Sequence, residues 1–135
     1  MIHEEIVTYE VAKLAKEKGL SQCPNENGKC RIYTLDKSKN TYVLCDWTVW
    51  ISAPWASEVI AAPTQSLLQR WLREEKNIHI SIEYEWVEGF DCWPFWAYIK
   101  KVKDERVIDD AIKSGFNTYE LALEDALAYS LKNLV

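Results

Sequence analysis

The side chains best suited to acid–base chemistry lie in one alternating segment, residues 78–86. Its polar positions are His79, Ser81, Glu83 and Glu85. A strict period of two is typical of a β-strand with one buried face, so these side chains share the other face. Histidine and paired carboxylates serve general acid–base catalysis and glycoside hydrolysis. The simpler interpretation is a strand face on which the carboxylates contact water or pair with Lys100 or Lys101. We predict an exposed polar face and no catalytic cluster.

The four cysteines do not have the spacing of a metal site. They are Cys23, Cys30, Cys45 and Cys92. Structural zinc sites carry closely spaced ligand pairs, and a CxxC pair is absent. The chain has only two histidines, and His3 lies near the terminus. We predict reduced thiols, no bound metal and no cofactor.

Common catalytic motifs are also missing. The sequence contains no GxGxxG, GxxxxGK[ST], HExxH or GxSxG. Site geometry recurs on unrelated folds without a sequence motif, so this absence does not prove the absence of catalysis. It makes an enzyme the less favoured hypothesis, and no catalytic residue is assigned.

Aromatic content is the most unusual feature, with seven Trp and seven Tyr among 135 residues. In a strand over residues 93–102, alternation puts Trp93 and Phe95 on one face and Trp96 and Tyr98 on the other. One pair therefore needs cover, either from another element of the fold or from a binding partner. The predicted contact surface consists of Trp93, Trp96 and Tyr98, with Trp50 and Trp55 as extensions.

The elements that would position these residues begin with a helix and a hairpin. Apolar periodicity predicts a helix over residues 4–18, which Gly19 ends. Strand formers predict two strands joined by a polar loop. These strands cover residues 31–35 and 41–50. Residues 51–62 are interpreted as a connection, because Pro54 interrupts a regular strand.

The second half predicts a helix, a hairpin and a final helix. A helix begins at Pro63 and ends near Lys76 and Asn77. Strands follow at residues 78–86 and 93–102, and residues 106–108 form either a third short strand or one helical turn. Asn117 or Thr118 caps the last helix. The order α-β-β-α-β-β-(β)-α indicates an α+β fold, with an antiparallel sheet of about four or five strands covered by two or three helices.

Length and charge limit the class of protein. A chain of 135 residues without a linker predicts one globular domain over residues 1–135. Its net charge of −5 is opposite to that of a phosphate-binding surface, so nucleic acid is not the expected partner. The amino terminus has no apolar run suited to export or membrane insertion, which predicts a cytoplasmic protein without membrane contact.

Three segments resemble those of a known family. They are EVAKLAKEKGL at residues 10–20, APTQSLLQRWLREEKNIHISI at residues 62–82 and NTYELALEDALAYSLKNL at residues 117–134. They are similar to a family of small uncharacterised proteins encoded by Bacteroidetes and their phages. The resemblance implies a phage or mobile-element context and a shared fold, and it implies no catalytic residue or ligand.

Several functional hypotheses follow. The favoured one is a non-enzymatic module that binds a protein partner or a second copy of itself through the aromatic surface. The alternative is a nucleic-acid-binding regulator, because the order from Pro63 onward resembles that of double-stranded-RNA-binding domains. That family's final helix starts with lysines, whereas this chain has Thr118, Tyr119, Glu120 and Leu121. Weaker alternatives are a small enzyme and a carbohydrate-binding module.

Overall fold

The computed structural model describes residues 4–20, 30–36, 38–47, 59–86, 88–89 and 93–135. The elements in chain order are α1 (Tyr9–Glu17), β1 (Cys30–Asp36), β2 (Thr41–Trp47), β3 (Val59–Ala61), α2 (Gln65–Lys76), β4 (Ile78–Tyr84), β5 (Phe95–Lys103), β6 (Arg106–Phe116) and α3 (Tyr119–Asn133). The predicted α+β class and the approximate order of elements are confirmed. No helix in this described part of the chain is long and apolar enough to cross a membrane.

The chain contacts divide into two compact units. One unit is Ile6–Thr64, and the other combines Met1–Glu5 with Gln65–Val135. We call them the N-terminal unit and the C-terminal unit. Each has its own three-stranded antiparallel sheet, in the orders β2-β1-β3 and β4-β5-β6. The strands are therefore divided between two sheets, whereas the sequence pattern indicated a single sheet. The single domain over residues 1–135 stays a prediction.

Two strands differ from the sequence-based expectation. β3 lies where a connection was predicted, and it pairs with β1 through the register Ile32↔Ala61. Three residues are too few to show a period of two, so the pattern could not reveal it. β6 has 11 residues instead of a short segment, and most of its side chains are exposed. Without a buried face it carries no apolar alternation.

The N-terminal unit is built around a tyrosine cluster. Thr8 caps α1, and its hydroxyl accepts from the Val11 amide at 3.4 Å. The Tyr9 ring stacks on Tyr42 at a centroid distance of 4.1 Å, and it meets Tyr33 edge-on at 5.8 Å. The Tyr33 hydroxyl donates to the Val7 carbonyl at 2.6 Å. These contacts join the start of α1 to the β1–β2 hairpin.

The C-terminal unit is an antiparallel meander covered on one face by α2 and α3. Ile80 lies opposite Ile99, and Ile82 lies opposite Ala97, which places these four side chains on the helix-covered face. α3 begins at the Thr118 cap, whose hydroxyl accepts from the Leu121 amide at 3.1 Å, as predicted. The core of this unit consists of Leu68, Leu72, Ile78, Ala97, Ile99, Leu123, Leu127, Leu131 and Leu134, with Ala122 and Ala126.

The start of α2 is fixed by a buried polar contact. α2 begins at Gln65 and not at Pro63, because Thr64 forms an antiparallel bridge with Ile6. The buried Gln65 amide nitrogen donates to the Glu120 carbonyl at 3.0 Å and to a Glu124 carboxylate oxygen at 2.8 Å. Because a buried amide is costly without partners, this contact holds α2 against α3 in one arrangement.

Two leucines of α3 provide a matched test of the core. Leu127 is fully buried, whereas Leu121 on the same helix is 55% exposed. We expect Leu127→Ala to lower the free energy of unfolding by about 2–5 kcal/mol, through lost burial and an unfilled cavity. Leu121→Ala should change it by less than about 0.5 kcal/mol. Denaturant unfolding of both variants measures the difference, and equal losses would contradict this assignment of the core.

Candidate functional site

The face of the β4-β5-β6 sheet opposite the helices carries most of the candidate residues. The register places Ser81 opposite Tyr98, Glu83 opposite Trp96 and His79 opposite Lys100. Ile112 of β6 lies opposite Tyr98 on the same face. We call this surface the polar face; it consists of His79, Ser81, Glu83, Trp96, Tyr98, Lys100, Asp110 and Ile112. Its aromatic side chains are half-buried, and the others are exposed.

A shallow depression of about 470 Å³ lies on the polar face. It is lined by His79, Ile80, Ser81, Glu83, Glu85, Tyr98 and Lys100. Both carboxylates have short-range partners within it: the Ser81 hydroxyl donates to Glu83 at 2.8 Å, and the Tyr98 hydroxyl contacts both Glu85 oxygens at 2.9 Å. The predicted exposure of His79, Glu83 and Glu85 is confirmed. The depression gathers hydrogen-bonding groups at the surface, which suits the binding of a polar group.

Of the two alternatives for Glu83 and Glu85, pairing with lysine or contact with water, the structure shows exposed carboxylates and no pairing with lysine. Glu83 lies opposite Trp96, and Glu85 accepts from Tyr98. Lys101 lies on the helix-covered face, where its ammonium group donates to the Leu134 carbonyl. Alternation fixes which face a residue occupies, but the partner across the ladder depends on the register. The hairpin sequence alone did not give that register.

Aromatic side chains cluster where the β4–β5 ladder ends. The Glu85 amide donates to the Pro94 carbonyl at 2.8 Å, one step beyond the Tyr84↔Phe95 pair. Continuing this register brings Trp86 opposite Trp93. We call Tyr84, Trp86 and Trp93, together with Trp96 on the opposite face, the aromatic end. Tyr84, Trp86 and Trp93 are 65%, 67% and 57% exposed.

The predicted aromatic residues occupy different environments. Trp93 is exposed in the aromatic end, and Tyr98 lies in the depression beside it. Trp96 is half-buried, and its indole N–H is buried with no acceptor among the residues that the structure describes. Trp50 and Trp55 lie outside the described residues. Tyr84 and Trp86 were expected on the buried face of the alternating strand, and the structure instead leaves both exposed where β4 ends.

The described residues provide no metal site. Among them, no group of three or more His, Cys, Asp or Glu side chains could hold a metal ion. All four cysteine side chains lie outside the described part of the structure, so the prediction of reduced, metal-free thiols stays a prediction. No protein-family model, curated protein or solved structure matches the chain.

The Tyr98–Glu85 hydrogen bond has a measurable consequence. It raises the pKa of Tyr98 above the usual 10.0, because the phenol must keep its proton to donate, and desolvation and the nearby carboxylates add to this. The folded state therefore releases this proton at higher pH than the unfolded state does. The stabilisation is complete below pH about 10 and is lost as pH rises through the folded pKa.

We expect Glu85→Gln to shift the Tyr98 titration back toward the ordinary tyrosine range. Subtracting the absorbance titration of Tyr98→Phe from that of the parent isolates this one phenol among seven. Glu88→Gln, which changes an exposed carboxylate outside this hydrogen bond, is the control. An unchanged Tyr98 titration in Glu85→Gln would show that the hydrogen bond does not form in solution.

Proposed function

We propose that this chain is a non-enzymatic binding module that recognises a basic segment of another protein. The observation that carries the proposal is that Trp86, just after β4, and Trp93, just before β5, are both more than half exposed at one end of a sheet. Clustered exposed aromatic rings are rare on monomers and frequent at interfaces, where Trp and Tyr supply much of the binding free energy.

Charge determines the kind of partner. Glu83, Glu85 and Glu88 are exposed at the same end of the sheet as Trp86 and Trp93, with Glu83 and Glu85 on the opposite face, and the whole chain carries a net charge of −5. Indole faces attract cations, and carboxylates form charge-assisted hydrogen bonds with Lys and Arg. Exposed rings and carboxylates on the two faces of one sheet end therefore suit a partner segment that extends around that end and presents Lys or Arg.

The nucleic-acid alternative shares the fold order and lacks the charge. The order α2-β4-β5-β6-α3, with both helices on one face, is that of the double-stranded-RNA-binding domains noted above. The first turn of α3 contains Glu120 and no lysine, and Glu85 and Glu88 lie between β4 and β5. Contact with phosphates needs positive charge at such positions. We therefore favour a protein partner.

The sequence resemblance supports a setting for this function. A family encoded by Bacteroidetes and their phages suits a cytoplasmic accessory protein of a phage or mobile element, acting on a host or phage protein. The neighbouring genes test this setting directly. Structural phage genes beside this one would favour an assembly or host-interaction role, and transcriptional genes would favour a regulator.

Trp93→Ala tests the surface better than Trp96→Ala. Because Trp96 is half-buried, its removal would change the stability of the fold as well as any binding. We expect the protein to bind Lys- and Arg-rich peptides on an array, and to bind charge-reversed Glu and Asp versions weakly. Trp93→Ala should weaken peptide binding at least about tenfold while unfolding stays unchanged. Glu85→Gln should weaken it less and reduce its dependence on salt.

Tyr119→Ala is the matched control, because Tyr119 is an exposed aromatic side chain on α3 outside the aromatic end. It should leave peptide binding within about twofold. Double-stranded RNA and oligosaccharides complete the set of probes. Equal binding of basic and acidic peptides, or preferential binding of RNA or sugar that Trp93→Ala abolishes, would replace the proposed partner with another class.

A further inference from the structure

The strand β6 forms an outer edge of the C-terminal sheet. It has 11 residues, and the sheet order β4-β5-β6 leaves its second side without a strand from the described part of the chain. Edge strands usually carry devices against pairing with another chain, since their free N–H and C=O groups are a template for it. Here Val107, Ile108 and Ile112 are 52%, 53% and 61% exposed along this strand. A long edge with exposed apolar side chains is suited to pairing.

The register of β6 against β5 defines the part of this edge that is regular. Irregularities occur between Phe95 and Ala97 and between Lys101 and Val102 of β5. Between them the pairs run without a break from Ala97↔Lys113 to Lys101↔Asp109. The regular stretch of β6 is therefore residues 109–113. Ala111 is at its centre, and also at the centre of Arg106–Phe116.

The charges on this stretch are self-complementary about Ala111. We propose that two copies of this chain pair antiparallel along β6, with the two-fold axis at Ala111. Asp109 then lies opposite the partner's Lys113, and Lys113 lies opposite the partner's Asp109. Opposite charges facing each other across an antiparallel ladder stabilise it. Symmetry produces this pair twice in each dimer.

Moving the two-fold axis by one residue in either direction removes the pairing of Asp109 with Lys113. Moving the axis to Asp110 places two Asp110 carboxylates opposite each other, and moving it to Ile112 places Asp109 opposite the partner's Gly115. Pairing of like charges directly across a ladder is destabilising. The register about Ala111 is thus selected by charge as well as by the limits of the regular stretch.

Both charged groups are available for this pairing. The Asp109 side chain is exposed, and its carboxylate has no ion-pair or hydrogen-bond partner among the described residues. The Lys113 ammonium lies over the Tyr129 ring, 4.5 Å from its centroid, and an aromatic face leaves room for a carboxylate on the other side of the cation. Ile112 lies on the polar face, next to the same edge. Pairing would bring the two Ile112 side chains of a dimer to diagonal positions.

Charge exchange tests this pairing. We expect the parent protein to show a concentration-dependent dimer by sedimentation or native mass spectrometry between about 1 and 500 µM. Asp109→Lys and Lys113→Asp should each weaken dimerisation at least about tenfold, since each creates two like-charge pairs. An equimolar mixture of these two variants should form heterodimers, because residues 109 and 113 of one chain then face residues 113 and 109 of the other with opposite charges. The variant with both changes should again form homodimers.

Asp125→Lys and Lys132→Asp make the same charge changes on the exposed side of α3 and should leave the dimer unchanged. Amide hydrogen exchange of the parent protein adds a measurement that needs no variant: protection in residues 109–113 should rise with protein concentration. A parent protein that stays monomeric over the whole range overturns the proposal. So does a mixture of folded Asp109→Lys and Lys113→Asp chains that forms no heterodimer.

Discussion

The register of the β4–β5 ladder is the constraint on which the rest of the C-terminal unit depends. Because Ile80 lies opposite Ile99, one face of the hairpin presents apolar side chains to α2 and α3, and the other presents His79, Ser81 and Glu83. A slip of one residue would exchange the two faces completely. The same register sets both the core and the candidate site. Burial falls along β4, so the segment that buries Ile78 at its start leaves Tyr84 and Trp86 exposed at its end.

This arrangement favours recognition over catalysis for physical reasons. A catalytic carboxylate or histidine needs an environment that moves its pKa toward the working pH, usually by burial or by a close charge. Glu83 and Glu85 are exposed, and their partners are neutral hydroxyl groups of Ser81 and Tyr98. Exposed carboxylates and indole rings can attract a cation. These properties support the proposed binding surface.

The sequence predicted the elements well and the pairings poorly. The alternating segment at residues 78–86 and the Thr118 cap of α3 are local signals, and both elements formed as predicted. The first sheet gains its third strand from β3, a three-residue strand whose pairing with β1 is a tertiary contact without a local pattern. In the candidate site, Trp93 and Tyr98 could be selected by composition and alternation. The bond from Tyr98 to Glu85 and the exposure of Trp86 depend on the register and on the limits of helix cover, which a single sequence does not encode locally.

The two proposed surfaces use different chemistry, and this lets them act together. The aromatic end binds through side chains, whereas the β6 edge pairs mainly through backbone groups, so occupation of one leaves the other free. Phe116, at the end of β6, lies opposite Phe95 next to the aromatic end. With the two-fold axis at Ala111 and a rise of about 3.3 Å per residue, the two Phe116 positions would lie roughly 33 Å apart, and the two aromatic ends would lie farther apart than this, at opposite ends of a continuous sheet. A partner with two basic segments at that spacing would bind both ends at once, and the high effective concentration of the second contact would raise its apparent affinity. A weak contact at each aromatic end would then be sufficient for tight binding by the dimer.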